Sequence, residues 1–235
     1  MALDPGNITR LAGINAPVLC LDTCSLIDVL RDPVRPTQIP GEASAALSLL
    51  TKLENPGGLI CFLADQVMTE LATHLQEEHE RAENSLSKLL NEVIRVDEIA
   101  TVFGSTATVN LTHFDGHVQR ARSVVERWKA GADVAPQSGN TLARAFARMN
   151  APVPRTPARR GKESIKDCVV VETYLETIQE LRAAGFTSKA VFLSSNVNDY
   201  TGENKRLKPD LASEFSTLGI TYTSQWRAAK ASLGL

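Results

Sequence analysis

The sequence predicts an α/β protein in which a parallel β-sheet lies between layers of helices. Three short apolar runs indicate buried strands, at Val18 to Leu21, Leu59 to Leu63 and Ala190 to Ser194. None of them shows the apolar–polar alternation of a strand with one face in water. Each is followed by a segment with helical spacing or helix-start signals, and strands that alternate with helices favour parallel βα units. We therefore expect a three-layer architecture.

The remaining elements follow from helical periodicity and from the residues that break it. Thr23 or Ser25 can cap the helix after the first strand, and the turn at 32–36 ends it. A helix that begins at Asp65 is expected to run past Val93, either as one long helix or as two with a kink. The other expected helices are 41–54, 113–130, 140–150, 164–184, 209–218 and one from 224, with loops at 131–139 and 151–162 and a last strand at 220–223.

Length and composition favour one large domain. With 235 residues, of which 43% are hydrophobic, the chain can bury a substantial core. We interpret residues 1–16 as a loosely ordered lead-in and 17–235 as a single domain with a helical elaboration at about 85–162. The net charge of −2 gives no global basic field, so any contact with nucleic acid has to come from a local patch.

The four cysteines lie in apolar surroundings and form no CxxC pair, which is typical of reduced thiols in a cytosolic protein. They are Cys20, Cys24, Cys61 and Cys168. The sequence has neither a charged-then-apolar leader nor an apolar run of about 18 residues. We therefore expect a cytoplasmic protein without a membrane partner.

Acidic residues occupy positions that the fold alone does not require. Asp22 directly follows the first strand, and ligands in open α/β sheets bind just beyond the carboxyl ends of strands. Asp167 falls within the apolar arc of the helix from Ser164, where an unpaired charge is costly. A helix cap at Asp22 and a favourable dipole contact at Asp167 are the alternative, purely structural explanations.

Two further acids complete the set. Glu70 lies at the flank of the apolar arc of the helix from Asp65, where many glutamates are only solvated rim residues. Asp199 follows the strand at 190–194 within Ser194-Ser195-Asn196-Val197-Asn198-Asp199-Tyr200, a stretch that could also be an ordinary polar turn. Tyr200 could stack on a base, although packing in the core explains it better.

Together these elements resemble a PIN domain, a family of metal-dependent nucleases. The resemblance covers about 18–75 and 163–223. Four features carry it: the strand that runs into Leu21-Asp22-Thr23-Cys24-Ser25, Glu70, the helix start Lys166-Asp167-Cys168 and the segment 194–200 at the end of the strand from Ala190. The ending is similar to the family's Thr-x-Asn-x-x-Asp-Phe, with Ser194 for Thr and Tyr200 for Phe. By this resemblance Asp22, Glu70, Asp167 and Asp199 are the catalytic and metal-binding acids, and Ser194, Ser195 and Asn196 support them.

The resemblance also implies an activity and partners. It implies an endoribonuclease that uses one or two Mg²⁺ or Mn²⁺ ions and leaves 5′-phosphate and 3′-hydroxyl ends. The family includes toxins of bacterial toxin–antitoxin pairs, which implies an antitoxin or another regulatory protein as partner. Homodimers are common in the family, so the resemblance also implies a homodimer. The helical stretch at 85–162 exceeds what a compact toxin-type member carries.

Elementary electrostatics supports a hard cation at such a site. Two unit charges about 4 Å apart repel by about 4 kcal/mol at an effective dielectric of 20, so several carboxylates in one pocket need a counterion. Ligation by oxygen alone selects Mg²⁺ or Mn²⁺. Because acids that handle phosphates do not sense the 2′-hydroxyl, the sequence does not separate RNA from DNA as substrate.

The 151–162 loop is rich in proline and basic residues and enters the helix that carries Asp167. We expect its cations to bind the nucleic-acid backbone, although a solvated loop is the alternative. These cations are Arg155, Arg159, Arg160 and Lys162.

Two other functions compete with the nuclease. One is a catalytically inactive PIN-like module that binds RNA or a protein. The other is a phosphatase of the haloacid-dehalogenase type, which also begins with a strand-end aspartate. Its Asp-x-Asp signature would require an acid where this chain has Cys24.

Overall fold

The computed structural model describes residues 3–36, 39–159 and 164–235. Within these ranges it contains a five-stranded, entirely parallel sheet flanked by helices, so the predicted α/β fold is confirmed. The strands are β1 (Val18–Leu21), β2 (Ile60–Ala64), β3 (Asp133–Ala135), β4 (Ala190–Leu193) and β5 (Ile220–Thr223). Their order across the sheet is β3-β2-β1-β4-β5.

The helices agree closely with the periodicity of the sequence. The segment from Asp65 is a single helix of 38 residues. The helices are α1 (Pro5–Ile14), α2 (Thr23–Leu30), α3 (Pro40–Glu54), α4 (Asp65–Val102), α5 (His117–Gly131), α6 (Gly139–Asn150), α7 (Ile165–Ala183), α8 (Val197–Tyr200), α9 (Pro209–Leu218) and α10 (Trp226–Leu233). None of the described helices is both long and apolar enough to cross a membrane.

The core lies on both faces of the central strands. Every residue of β1, β2 and β4 is buried, which explains their continuous apolar runs. The hydroxyl of Tyr174 on α7 donates to the carbonyl of Leu21 and accepts from the amide of Ala64, so it ties α7 to β1 and β2. Tyr200 is fully buried against Phe192, which confirms the packing interpretation.

The structure corrects two interpretations of local order. Residues 5–14 form a helix capped by Asp4, and Leu11 on this helix is buried, so a loosely ordered lead-in is wrong there. The expected loop at 131–139 contains β3, which pairs with β2. A three-residue edge strand is too short to show a period, so only its pairing reveals it. The division into a lead-in and one domain stays a prediction.

The strand order creates a crevice at one edge of the sheet. From β1 the chain moves to β2 and β3 on one side, and then crosses to β4 and β5 on the other. The connections that leave β1 and β4 therefore diverge, which is where open α/β sheets bind ligands. Asp22 and Ser194 are the first residues beyond these two strands.

Candidate active site

Asp22 lies in this crevice and is held by three donors. Its Oδ1 accepts from the amide of Thr23 at 2.8 Å, which makes Asp22 the N-cap of α2. Its Oδ2 accepts from Ser194 Oγ at 2.5 Å and from Cys24 Sγ at 3.2 Å. The capping explanation and the functional one are therefore compatible, because one oxygen caps the helix while the other faces Ser194.

Burial dominates the electrostatics of Asp22, which is 5% exposed. Desolvation raises the pKa of its carboxyl, and the nearby charge of Glu70 raises it further, against the hydrogen bonds from Ser194, Cys24 and Thr23. The ionised form is thus costly in the protein alone. A carboxylate of this kind favours a positively charged ligand.

Glu70 reaches the same crevice from the second turn of α4. Its Oε2 accepts from Thr23 Oγ1 at 2.6 Å, and its Oε1 accepts from Gln66 Nε2 at 3.0 Å. Thr23 therefore bonds to both acids, through its amide to Asp22 and through its hydroxyl to Glu70. This arrangement fixes two like charges close to each other.

Asp167, in the first turn of α7, lines the cleft from the third side. The cleft has a volume of about 280 Å³ and contains three of the four predicted acids. Its lining consists of Asp22, Thr23, Cys24, Ile27, Arg31, Glu70, His74, Glu78, Asp167 and Asn196.

Asp199 lies behind the cleft and does not line it. It is 2% exposed. Its Oδ2 accepts from Asn196 Nδ2 at 2.6 Å, and the Arg159 guanidinium lies 3.2 Å from its Oδ1. Since Asn196 lines the cleft, Asp199 reaches the cleft through that amide. Its predicted role as a metal ligand stays a prediction.

The predicted supporting residues connect the ends of β1 and β4. Ser194 donates to Asp22, and its Oγ accepts from the amide of Asn196 at 3.2 Å. Ser195 lies outside the cleft lining, and its amide donates to Ser25 Oγ at 2.9 Å. Ser194 therefore orients the acid, whereas Ser195 joins the start of α2 to the loop after β4.

Two of the four predicted nucleic-acid-binding cations contact acids of the protein itself. Arg155 forms an ion pair with Glu214, and Arg159 forms one with Asp199. Arg160 and Lys162 lie outside the described residues. Binding of nucleic acid by this loop stays a prediction.

The donor atoms of the cleft suit a hard cation. Asp22, Glu70 and Asp167 supply carboxylate oxygens, and burial raises the pKa of the Cys24 thiol so that it stays protonated. Within 3–36, 39–159 and 164–235, no three His, Cys, Asp or Glu side chains are arranged as a metal site. Asp22 and Glu70 instead accept hydrogen bonds from the hydroxyls of Ser194 and Thr23. The three acids fit Mg²⁺ or Mn²⁺ in their chemistry, because they offer carboxylate oxygens, but they would have to converge to bind the ion.

The cleft also contains residues that the sequence prediction missed. His74 and Glu78 follow Glu70 at intervals of four residues on α4, so helical spacing could have revealed them. Arg31, just after α2, lies between Asp28, at 2.9 Å, and Glu78, at 3.7 Å. No motif in the sequence marks it.

A comparison with known protein families shows the family to which the chain belongs. The pattern that defines the PIN domain matches residues 19–200, a span that contains all four predicted acids. This chain belongs to the PIN domain family. No curated protein and no solved structure shows a significant match. PIN domains are generally nucleases and usually use divalent metal ions, so the family supports an enzyme at this coarse level.

Proposed function

We propose that this PIN domain is a Mg²⁺- or Mn²⁺-dependent endoribonuclease that hydrolyses phosphodiester bonds of RNA. The observation that carries the proposal is the cleft at the β1–β4 crevice, where buried Asp22 lies with Glu70 and Asp167. Three acids in one solvent-accessible cleft do not stabilise a hydrophobic core, so their presence indicates a functional site.

Asp22, Glu70 and Asp167 are the residues that would hold the cation. When bound, a divalent ion supplies Lewis-acid stabilisation of the phosphodiester and lowers the pKa of water. Ser194 orients Asp22, and Thr23 orients Glu70, through bonds of 2.5 and 2.6 Å. Asp199 orients the Asn196 amide at the cleft wall. These bonds keep Asp22 and Glu70 at the cleft, from which the acids would have to converge to bind a cation.

Positive charge near the cleft suits a phosphate backbone. Arg31 lines the cleft beside the acids, and its guanidinium can donate to a phosphate oxygen. The basic loop with Arg155, Arg159, Arg160 and Lys162 leads into α7, which carries Asp167 in its first turn. We propose that this loop binds the RNA backbone outside the cleft.

The competing functions are weaker. A phosphatase with an Asp-x-Asp centre would need an acid at Cys24, whose protonated thiol donates to Asp22. An inactive binding module would not require Asp22, Glu70 and Asp167 in one cleft, whereas absence of metal binding would favour it. Cytoplasmic location, an antitoxin or regulatory partner and a homodimer stay predictions.

Cleavage of a mixed-sequence fluorogenic RNA, with DNA of the same sequence alongside, tests the proposal. Wild type, Asp167→Asn and the control Asp133→Asn are each assayed in EDTA, Mg²⁺ and Mn²⁺. Asp133 lies on the edge strand β3 and pairs with Arg10 on α1. Asp133→Asn is therefore the same substitution at a carboxylate outside the cleft. We expect metal-dependent cleavage of RNA that only Asp167→Asn loses.

Equal activity of Asp167→Asn and wild type would refute the site. Absence of cleavage with every metal, together with no Mn²⁺ binding in a calorimetric titration, would favour the inactive module. Cleavage of DNA in preference to RNA would correct the substrate.

A further inference from the structure

A second cavity lies beside the acid cleft, at the same edge of the sheet. Its volume is about 310 Å³, and Arg31 lines both cavities. Ser195 follows β4, and Ser224 and Gln225 follow β5, so the second cavity lies at the carboxyl ends of these two strands. Ligands of α/β sheets bind at this edge. We call this cavity the side pocket.

Only the first turn of α2 separates the side pocket from the acids. Ser25 lines the side pocket, while its neighbour Cys24 lines the cleft. The Ser195 amide donates to Ser25 Oγ at 2.9 Å, whereas the next residue, Asn196, lines the cleft. A strand of nucleic acid with its phosphate at the acids would therefore have its neighbouring nucleotide close to the side pocket.

Two guanidinium groups are held in fixed positions at the side pocket. Asp28 Oδ1 accepts from Arg31 Nη1 at 2.9 Å and from Arg35 Nη2 at 3.1 Å. The Arg35 Nε is buried and has no hydrogen-bond partner among the described residues. Because this Nε is not accessible to solvent, a ligand in the side pocket would contact the remainder of the Arg35 side chain, which is 32% exposed.

The other walls combine apolar surface with hydrogen-bonding groups. Ile39, Val197 and Trp226 provide apolar contact, and Ser224 and Gln225 provide donors and acceptors. The acids Asp28 and Glu42 balance the two arginines in charge, so a simple anion would gain little there. Proteins recognise unpaired bases through this combination of apolar contact and polar edges.

We propose that the side pocket binds the nucleotide next to the scissile phosphate, with its base against Trp226 and Gln225 and an acceptor atom on Arg35. Arg31 then lies between this nucleotide and the acids. The identity of the strand as RNA rests on the proposed function. The side pocket would give the enzyme a base preference at one position beside the cleavage site.

Binding of RNA to an uncut complex tests the proposal directly. Asp167→Asn serves as the background, and a fluorescein-labelled octanucleotide RNA pool is titrated while anisotropy is measured. We expect Arg35→Gln to weaken binding about 10-fold, which corresponds to the loss of one charge-assisted contact. The matched control is Arg127→Gln. Arg127 lies on α5, before β3, and pairs with Glu54 at the end of α3, before β2, so this ion pair lies at the opposite edge of the sheet.

A second measurement uses the active protein and does not depend on Arg35. Gln225 is exposed and makes no side-chain cap bond, so Gln225→Ala should leave folding unchanged. Sequencing the ends that wild type and Gln225→Ala produce from a mixed RNA pool should show a changed base frequency at one position beside the cut.

The outcomes separate this proposal from the nuclease itself. Equal binding by Arg35→Gln and the background, or an equal loss in Arg127→Gln, would overturn the side pocket. Identical cleavage profiles of wild type and Gln225→Ala would overturn it as well. If Arg35→Gln alone loses binding while wild type cuts no RNA, the side pocket stands and the nuclease proposal fails.

Discussion

Two groups of acids in this molecule differ in their partners. The cleft acids are Asp22, Glu70 and Asp167. The second group, which we call the paired cluster, joins α6, α7 and α9. It consists of Glu172, Glu176, Glu214, Arg144 and Arg148. Helix α7 contributes to both groups, with Asp167 in its first turn and Glu172 and Glu176 further along.

The paired cluster is a network of ion pairs around the buried Arg148. Arg148 is 2% exposed, and its guanidinium contacts Glu172 at 2.5 Å and Glu214 at 2.8 Å. Its Nη1 also donates to the carbonyl of Thr156 at 2.6 Å, which fixes the chain after α6. Burial lowers the pKa of Arg148, but the two glutamates outweigh burial and raise it. Buried charges that are paired in this way have a structural role.

Asp22 and Glu70 are bound by neutral donors instead of cations. Asp22 and Glu70 accept hydrogen bonds from hydroxyl, thiol and amide donors, and neither forms an ion pair within the described chain. Burial raises the pKa of Asp22. For Glu176, burial acts in the same direction, but hydrogen bonds from Thr141 and Ser138 and the charge of Arg144 outweigh it and lower the pKa. The partner of an acid therefore indicates its role better than burial does.

The sharpest test of this comparison is Asp22→Asn. Asparagine keeps the cap of α2 and has nearly the same shape, but it removes the charge. We expect the RNA-cleaving kcat/KM to fall at least about 10³-fold, which equals roughly 4 kcal/mol, while the Tm stays constant or rises. Glu172→Gln is the control, and it should lose stability while it retains activity. A Tm that falls in Asp22→Asn would break the comparison.

Arg148→Ala should have the largest effect on stability. It leaves Glu172 and Glu214 without their shared cation, so we expect a loss of roughly 3–5 kcal/mol in the free energy of unfolding, measured by urea denaturation. Arg127→Ala, which removes an exposed pair with Glu54, should lower the free energy of unfolding far less. Similar losses in the two variants would show that the paired cluster contributes little.

The contributions of Asp22 and Glu176 to the stability of the fold should change in opposite directions as the pH falls. The folded Asp22 carboxyl binds its proton more tightly than the unfolded one, so stability rises as pH falls through its raised pKa towards 3.8. The folded Glu176 carboxyl binds its proton less tightly, so its stabilisation is present above pH 4.5 and is lost as pH falls through its lowered pKa.

Thermal melts near pH 7 and about pH 3 measure this difference. Relative to wild type, we expect Asp22→Asn to raise the Tm and Glu176→Gln to lower it by a few degrees near pH 7. Both differences should shrink at about pH 3. Differences of the same sign in the two variants would contradict the assignment of these acids.

The smallest expected effect concerns Arg159, which already faces Asp199. We expect Arg159→Ala to weaken RNA binding a few-fold and to reduce the slope of log affinity against log salt by about 1, with the rate of the chemical step retained. Binding at several salt concentrations and single-turnover cleavage measure these two quantities. An unchanged slope would mean that Arg159 serves Asp199 alone.

Local sequence was sufficient for the elements whose own residues determine their structure. The apolar runs of β1, β2 and β4 indicated buried strands, and the residues after β1 and β4 indicated the crevice. The helical spacing after Asp65 predicted α4. In contrast, β3 has three residues and no period, and α1 packs into the core through Leu11. Both depend on contacts with distant parts of the chain.

The same division applies to the candidate site. The sequence by itself determined which acids follow a strand or begin a helix, because these positions depend on neighbouring residues. Only the tertiary structure decided their partners: Ser194 on Asp22, Thr23 on Glu70, and Arg148 between Glu172 and Glu214. It also placed Asp199 behind the cleft and Arg31 between two cavities. Ser194 meets Asp22 only because the chain crosses from β3 to β4, and no local pattern encodes that meeting.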